Sequence, residues 1–345
     1  MYKTILAIES SCDETGVAIV EAGTIEIASS LATSQDLHKK TGGVVPEVAA
    51  RKQLEYILPI INQCLEKALL YYRVKSISEV IDRIDAIAVT VGPGLSGSLI
   101  VGVESAKTLA LSWNKPLIPV NHLIGHLYAN FIGKTANDIP SFPAIGLVIS
   151  GGHTDLILVK DHYSFEYLGG TLDDAAGECF DKSARLLGIS DYLGGALLSE
   201  IARKSTNSSI KGVLPRPLIN ENNFDFSFSG LKTAVRRFYD NNPKILVEDI
   251  SAEVQSSIVD VVSVKVKKAV DRYKVKCVLV GGGVSANLEL RKGLNASINV
   301  PIYFPEYRLC TDNAIYIASA AYFKPTHLLN SEVQVNPSLS VTDII

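Results

Sequence analysis

Two stretches of the chain place apolar runs on either side of a polar, glycine-containing turn. The first is residues 6–20, whose turn carries Gly16, and the second is residues 144–159, with residues 150–154 at its turn. Short apolar runs separated by turn residues are typical of β-hairpins. Because the second stretch repeats the plan of the first, one interpretation is a duplicated architecture of two similar α/β lobes, and the alternative is an α/β protein that contains two hairpins without a duplication.

Helical and mixed patterns fill the rest of the chain. A long helix is predicted from Pro46, with apolar residues recurring through Leu69 and an expected kink at Pro59. Two strand, glycine loop and helix units are also predicted, at residues 85–113 and 277–294. The polar stretch from residue 325 onward is expected to pack back on the first lobe or to fray.

Composition narrows the class of protein. A chain of 345 residues with 47% hydrophobic residues predicts two domains with substantial cores. No apolar run reaches the roughly 20 residues that cross a bilayer. Because the first predicted strand begins almost at the start of the sequence, we expect no signal or transit peptide. The five cysteines form no C-x-x-C pair, which favours a reducing cytoplasm. The net charge of −3 indicates that any RNA contact is local or shared with a partner.

His122 and His126 are the strongest candidates for chemistry. Four residues apart on a helix, they would share one face within reach of a single ion. Asp312 is a candidate third ligand, and two histidines with one carboxylate would leave positions open for substrate, as in a catalytic iron or zinc site. Two alternatives stay open: the histidines are ordinary surface or core residues, and Asp312 or Asn313 caps the following helix.

Other patterns have competing interpretations. Zinc peptidases that share the H-x-x-x-H spacing have a glutamate general base where this chain has Leu123. The glycine loops at residues 92–97 and 281–286 could bind phosphate or serve as turns. Thr171 is a predicted helix N-cap, and Asp173 and Asp174 would complement the dipole of that helix. The lysine-rich residues 265–276 alternate with valines, which predicts an amphipathic surface helix rather than an RNA-binding patch.

The motifs together resemble the TsaD family over nearly the whole chain and in the same order. Their sequences are IESSCDET at 8–15, GGVVPE at 42–47 with Arg51, GPGLSG at 92–97, NHLIGH at 121–126, SGGHT at 150–154, DDAAGECFDK at 173–182, FSFSGLKT at 226–233, GGVSAN at 282–287 and CTDN at 310–313. Several of these motifs are too long for a chance match.

The resemblance implies a tRNA-modifying enzyme. The implied reaction transfers a threonylcarbamoyl group from threonylcarbamoyl-AMP to N6 of adenosine 37 in tRNAs that read ANN codons. The implied fold is α/β, two-lobed and actin-like, a duplicated ribonuclease-H-like (ASKHA) fold with an interlobe nucleotide cleft. The expected lobes are residues 1–132 and 133–321, with residues from about 322 to 345 packing back on the first. The alternative activities are an ATPase or phosphotransferase of the same superfamily and, less favoured, a metallopeptidase.

Matching motif positions also imply a set of site residues. One divalent metal, Fe²⁺ or Zn²⁺, would be held by His122, His126 and Asp312, which act in catalysis through it. The adenylate and acyl group, or ATP or AMP, would contact residues at the second hairpin and beyond: Val148, Ile149, Ser150, Gly151, Gly152, Asp181, Gly194 and Asn287. Further candidates for phosphate or loop contacts are Glu9, Ser10, Ser11 and Glu47.

The sequence departs from the family pattern at several positions. Gln53 stands where the family usually has histidine, and Leu193 and Ala196 replace the prolines of a Y-P-G-G-P loop. These changes affect the rigidity of that loop and any role of the missing histidine, but not the metal site. The implied partners are tRNA and, by the arrangement of bacterial members, an inactive TsaB-like paralogue that dimerises with the first lobe and a small TsaE-like ATPase.

Overall fold

The computed structural model describes residues 2–206, 210–324 and 333–343. The chain forms two compact units: unit 1 comprises Met1–Pro140 and Pro305–Ile345, and unit 2 comprises Ser141–Phe304. The sequence-based boundaries differ from this division, because they assigned residues 305–321 to the second lobe. The difference has a physical cause: the helix Ala314–Phe323 is apolar on all sides and packs on the first two strands of unit 1.

Unit 1 is built on a mixed five-stranded sheet with the strand order β3-β2-β1-β4-β5. Its antiparallel part is the predicted first hairpin extended by one strand, and its parallel part joins β1 to β4 and β4 to β5. The strands are β1 (Thr4–Glu9), β2 (Glu14–Glu21), β3 (Ile25–Thr33), β4 (Ala86–Gly92) and β5 (Leu117–Asn121).

Unit 2 repeats this topology, with the order β10-β9-β6-β7-β8. Here β6 and β7 are the predicted second hairpin, and β9 and β10 add in parallel. The strands are β6 (Ala144–Ile149), β7 (Thr154–Asp161), β8 (Ser164–Gly170), β9 (Cys277–Gly281) and β10 (Ile302–Tyr303). Because each sheet begins with a three-stranded meander and continues with two parallel strands, the predicted duplication is present in the fold.

Helices cover the sheets, as parallel strands require crossover connections. Unit 1 contains α1 (Gln35–Lys39), α2 (Pro46–Tyr72), α3 (Ile77–Arg83), α4 (Ser96–Trp113), α5 (His122–Tyr128) and α11 (Ala314–Phe323). Unit 2 contains α6 (Ala176–Leu186), α7 (Gly195–Ala202), α8 (Ser229–Asn241), α9 (Val247–Tyr273) and α10 (Leu288–Ser297). No helix among the residues given above is both long and apolar enough to cross a membrane.

Several sequence predictions are confirmed by these elements. Helix α2 has Pro46 in its first turn and continues past Pro59, and α4 ends at Trp113 as expected. Strands β1 and β4 are buried along their whole lengths, which explains why most of their residues are apolar. The C-terminal stretch returns to unit 1, where Asn336 donates its N–H to the carbonyl of Val91, while residues 325–332 lie outside the described part.

The helix cap predicted at Thr171 is wrong. Helix α6 begins five residues later, at Ala176, and the Thr171 hydroxyl instead donates to the carbonyl of Asp174. The carboxylate of Asp173 accepts N–H groups of Phe228 and Ser229, at 2.7 and 3.1 Å, at the start of α8. Asp173 therefore stabilises the N-terminus of a different helix from the one predicted.

The prediction of a surface helix for residues 265–276 is wrong at Lys265. This side chain lies in α9 and is fully buried. Its ammonium donates to the carbonyl of Asn223 at 2.8 Å, to the side-chain oxygen of Asn223 at 3.0 Å and to the carbonyl of Glu221 at 3.4 Å. A loop that wraps α9 thus supplies the polar partners that a buried ammonium requires.

Candidate functional site

The two histidines stand at the junction between β5 and α5. Strand β5 ends at Asn121, whose side-chain oxygen accepts the N–H groups of Leu123 and Ile124 and so caps α5. The helix therefore begins at His122, directly at the end of a buried strand. His126 follows one turn later on the same face, and the two imidazole centroids are 4.6 Å apart.

Asp312, which lies in the C-terminal segment of unit 1, completes the group. Its carboxylate oxygen Oδ1 lies 3.6 Å from Nε2 of His122 and 3.4 Å from Nε2 of His126. The helix cap that competed with this interpretation is made by Asn313, whose side chain accepts the N–H groups of Ile315 and Tyr316. The Asp312 carboxylate is consequently directed at the histidines and does not cap α11.

The spacing of these three residues suits one metal ion. One ligand atom from each lies within 4.8 Å of the others. Two ligands that are each about 2.1 Å from a tetrahedral zinc ion are about 3.4 Å apart, close to the separations between Asp312 and the histidines. Two neutral nitrogens and one carboxylate oxygen are also a donor set of the open, catalytic kind. The three residues predicted as ligands are therefore brought together in a geometry that fits a metal.

Glu9, at the end of β1, lies behind His122. Its Oε2 is 3.1 Å from Nδ1 of His122 and accepts the hydroxyl of Thr90 at 2.5 Å, while its Oε1 accepts the N–H of Ser11 at 2.6 Å. The Ser11 hydroxyl is also 3.3 Å from Nδ1 of His122. A carboxylate on the far nitrogen of a ligating histidine fixes the tautomer and the ring orientation, and here it leaves Nε2 facing Asp312.

Charge and burial set the protonation of the group. Burial by itself lowers the pKa of His122, but the carboxylates of Glu9 and Asp312 outweigh burial and raise that pKa to about 9. Burial lowers the pKa of His126. Burial raises the pKa of Asp312, but His122 and His126 outweigh it and hold that pKa well below its usual range. The carboxylates of Glu9 and Asp312 therefore favour a positive charge between them, which in the absence of a metal ion is the protonated imidazole of His122.

Ser10 and Glu47, which were also predicted as phosphate or loop contacts, lie away from the histidines and Asp312. Ser10 is buried and its hydroxyl donates to the carbonyl of Ser98 at 3.0 Å. Glu47 is exposed in the first turn of α2, where it pairs with Arg51 at 2.6 Å. Glu9 and Ser11 contact His122, whereas Ser10 and Glu47 do not reach the group.

The residues predicted to hold the nucleotide all belong to unit 2. Val148 and Ile149 end β6, and the turn that follows is closed by a hydrogen bond from the N–H of Ser150 to the carbonyl of His153, at 2.8 Å. The N–H groups of Gly151 and Gly152 have no acceptor among the described residues, and a Cβ at either glycine would meet nothing within 4 Å. This turn therefore presents backbone donors beside open space.

Three further predicted residues lie at the starts of helices in unit 2 or contact such a start: Gly194 and Asn287 are N-caps, and Asp181, in the middle of α6, contacts the start of α7. Asp181 accepts the N–H of Gly195 at 2.7 Å, and Gly194 is the N-cap of α7. Asn287 caps α10 by accepting the N–H of Leu290 at 2.9 Å. Burial raises the pKa of Asp181. Because β6 and β9 are parallel neighbours, the turn after β6 and the glycine segment after β9, which precedes Asn287, follow the same edge of the sheet.

Some residues of these sites were missed from the sequence. The hydroxyl of Tyr316 donates to Asp312 at 3.5 Å, and its fully buried ring lies 4.8 Å from that of His126. The side-chain amide of Asn287 donates to Ser199 and Gln255, both at 2.9 Å. A charged Glu9 at the end of an otherwise apolar strand was the available signal for its contact with His122. No local pattern indicated Tyr316 or Gln255.

Solved structures resemble the whole fold. The phosphate- and nucleotide-bound form of full-length HypF matches 93% of this chain and 46% of its own, with a TM-score of 0.57 and 14% identity. Component A of (R)-2-hydroxyglutaryl-CoA dehydratase from Acidaminococcus fermentans matches 93% of this chain and 98% of its own, with a TM-score of 0.52 and 18% identity. These likenesses concern the fold and confirm the predicted actin-like α/β class.

The fold and the site thus define a duplicated actin-like α/β protein whose His122, His126 and Asp312 could hold a metal ion. The model of the TsaD family, tRNA N6-adenosine threonylcarbamoyltransferase, matches residues 26–319. A protein of that name from Kosmotoga olearia is 46% identical over 99% of both chains, and one from Bacillus subtilis is 45% identical over 92% of this chain and 89% of its own. The chain belongs to the TsaD family.

Membership of the TsaD family identifies the class of reaction that the enzyme catalyses. The expected transferase activity on tRNA is confirmed, because the family model and these relatives carry the name of a tRNA N6-adenosine threonylcarbamoyltransferase. The relatives are named neither as ATPases nor as metallopeptidases.

Proposed function

We propose that this enzyme transfers the threonylcarbamoyl group of threonylcarbamoyl-AMP to N6 of adenosine 37 in tRNAs that read ANN codons. We further propose that it requires one divalent metal, iron or zinc, held by His122, His126 and Asp312. The observation that carries the metal proposal is the position of Asp312, 3.6 and 3.4 Å from the two imidazole nitrogens. A bound metal would supply Lewis-acid polarisation of oxygen and stabilise negative charge.

The protein's own residues prepare this group in defined ways. Glu9 holds the His122 ring so that Nε2 faces Asp312, and Tyr316 donates a hydrogen bond to the Asp312 carboxylate. His122 and His126 are buried and the Asp312 side chain is 23% exposed, so water has limited access to the three side chains. An exocyclic amine is a weak nucleophile, and catalysis therefore depends on holding it against the activated carbonyl and on stabilising charge.

The adenylate is assigned in this proposal to unit 2. The unpaired N–H groups of Gly151 and Gly152 suit phosphate oxygens, as backbone donors do in other anion-binding loops. Asp181 supports Gly194 and Gly195 at the start of α7, and one oxygen of Asp181 could accept a ligand hydroxyl. Both N–H groups of the Asn287 amide already donate to acceptors within the protein. Its side-chain oxygen accepts the N–H of Leu290 and has a second lone pair, which would accept a hydrogen bond from the ligand.

A cytoplasmic location and protein partners belong to the same proposal. None of the five cysteines, all within the described residues, forms a disulfide bond, which fits a reducing compartment that contains tRNA. A TsaB-like paralogue would dock on unit 1, and this is supported by Leu54 and Leu58, which are 64% and 69% exposed one turn apart on α2. A small TsaE-like ATPase would complete the assembly.

Mass spectrometry of the product tests the proposed reaction. The purified chain, with and without the two partner proteins, is incubated with threonylcarbamoyl-AMP and unmodified tRNA, and the digested nucleosides are analysed. We expect the modified adenosine with wild type and its loss in His122→Ala and Asp312→Ala. The variant His162→Ala, which removes a histidine outside both candidate sites, is expected to retain activity. Metal analysis of the same preparations should find about one iron or zinc per chain in wild type and in His162→Ala, and less in His122→Ala and Asp312→Ala.

Assays for the alternative activities complete the test. ATP hydrolysis without tRNA, or chelator-sensitive cleavage of casein, would favour an ATPase or a peptidase. If wild type with both partners forms no modified nucleoside, the proposed reaction is wrong for this chain.

A further inference from the structure

Gln53 lies on α2 with its side chain buried at 1% exposure and its amide directed at the turn between β1 and β2. Its nitrogen Nε2 is 2.9 Å from the carbonyl oxygen of Cys12 and 3.2 Å from those of Ser10 and Glu14. One side chain thus donates to alternate carbonyls along the turn. The amide has two N–H groups for these three acceptors, so at least one N–H is shared.

The other carbonyls of the turn are also satisfied. Leu95 donates its N–H to the oxygen of Ser11 at 2.7 Å, and Ser34 donates its N–H to the oxygen of Asp13 at 2.9 Å. Every carbonyl from Ser10 to Glu14 therefore has a donor, and Gln53 supplies the donor for Ser10 and Glu14. A buried turn without regular pairing depends on such side-chain donors to keep one conformation.

This turn also carries the groups that hold His122. Ser11 donates its N–H to Glu9 at 2.6 Å, and both the Ser11 hydroxyl and the Glu9 carboxylate contact Nδ1 of His122, at 3.3 and 3.1 Å. Since Ser10 lies between Glu9 and Ser11, a shift of its carbonyl displaces both contacts of the imidazole. Gln53 is thus connected to His122 through one backbone segment.

We propose that Gln53 is a positioning residue for the metal site: by donating to the carbonyls of the β1–β2 turn, its amide keeps Glu9 and Ser11 against His122. The inference rests on the metal site proposed above. The amide acts as a donor only, because its Oε1 is buried without a hydrogen-bond partner among the described residues. An apolar side chain of the same size would fill the space but leave the carbonyls of Ser10 and Glu14 without these donors.

Metal affinity of the full chain tests the proposal independently of transferase activity. Metal-free wild type and variants are titrated with Zn²⁺ against a competing chelator, and with Co²⁺ while the visible absorption spectrum is recorded. We expect Gln53→Met to bind Zn²⁺ about tenfold more weakly and to change the Co²⁺ spectrum. Gln53→His returns a side-chain N–H donor at the same position of α2. Its affinity should lie within about threefold of wild type.

Ile61→Ala is the matched control. Ile61 lies two turns further along α2 in the core of unit 1, and its truncation destabilises the same helix without touching the turn. We expect unchanged Zn²⁺ affinity and an unchanged Co²⁺ spectrum in this variant. A loss of affinity equal to that of Gln53→Met would mean that helix stability alone matters, which overturns the proposal.

The remaining outcomes separate the proposals from one another. Wild-type affinity in Gln53→Met, or equal affinities of the Met and His variants, overturns the role of the donated hydrogen bonds. If Gln53→Met does not fold, Gln53→Asn replaces it, because the shorter side chain withdraws the amide from the turn. Wild-type affinity in that variant counts against the proposal in the same way. Failure of wild type to bind Zn²⁺ or Co²⁺ at all would instead refute the metal site itself.

Discussion

The Glu9 carboxylate lies 3.1 Å from Nδ1 of His122, and the Glu9 side chain is fully buried. The imidazole therefore has one nitrogen held by a carboxylate and the other, Nε2, 3.6 Å from Asp312. The two carboxylates bracket one ring, and the unit 1 sheet supplies Glu9 from the end of β1. The central strand of that sheet thus determines the orientation of a candidate metal ligand.

Replacement of Glu9 by glutamine is the first prediction. Glu9→Gln retains size but removes the charge that fixes the His122 tautomer, and we expect about 10–100-fold weaker Zn²⁺ affinity. Chelator competition measures the affinity. Glu104→Gln makes the same chemical change on the surface of α4, where Glu104 pairs with Lys107, and should bind Zn²⁺ like wild type. Equal affinities of Glu9→Gln and wild type would show that His122 needs no such support.

Strong local patterns made most of the fold predictable. Both hairpins, Pro46 at the start of α2 and the glycine loops after β4 and β9 depend on periodicity and turn residues, which act over a few positions. The i and i+4 spacing of His122 and His126 likewise fixed their common face. Asp312 was singled out by its position before an apolar helix, and its proximity to the histidines required the packing of α11 on the sheet.

Contacts between distant parts of the chain were not predictable in this way. Lys265 can be buried because the carbonyl oxygens of Glu221 and Asn223, in a loop that packs against α9, accept hydrogen bonds from its ammonium group. The periodicity of α9 does not indicate such a loop. Asp173 was assigned to its own helix, whereas the structure uses it at the start of α8, more than 50 residues later. Side chains whose partners are remote in sequence follow tertiary packing, which local propensity does not encode.

The buried amine of Lys324 predicts a pH dependence of stability. Burial lowers the pKa of Lys324 to about 8, below its ordinary value of 10.5. Between these pH values the unfolded chain binds the proton more strongly than the folded one, so the free energy of unfolding should rise as pH increases through this window. Chemical denaturation of wild type and Lys324→Met measures the effect. Their difference should change between pH 8 and 10.5, and a constant difference would contradict the shifted pKa.

The hydrogen bond between Asp181 and the start of α7 leads to a prediction about nucleotide binding. Asp181→Ala removes the acceptor of the Gly195 N–H at the start of α7, and we expect the KM for threonylcarbamoyl-AMP to rise about tenfold. Asp181→Asn keeps a side-chain oxygen in that place and should raise KM less. Steady-state kinetics with saturating tRNA distinguishes the two variants. A similar KM in wild type and Asp181→Ala would remove this residue from the proposed adenylate site.

The close contact between Gly177 of α6 and the turn after β6, residues 150–153, leads to a further prediction about phosphate binding. A Cβ at Gly177 would lie 2.5 Å from the carbonyl oxygen of Ser150 and 2.8 Å from Cα of Gly151, so backbone atoms must shift in Gly177→Ala. Because the N–H groups of that turn are the proposed phosphate donors, we expect at least about a tenfold higher KM for threonylcarbamoyl-AMP, corresponding to one hydrogen bond.

Gly230→Ala is the matched substitution for this comparison. Gly230 lies in the first turn of α8, where an added Cβ meets nothing within 4 Å, and alanine favours the helix. Its KM should stay within about twofold of wild type, while thermal unfolding of both variants verifies that each is folded. If Gly177→Ala retains the wild-type KM, the turn after β6 does not bind the phosphate, and the adenylate must be held by other residues of this enzyme.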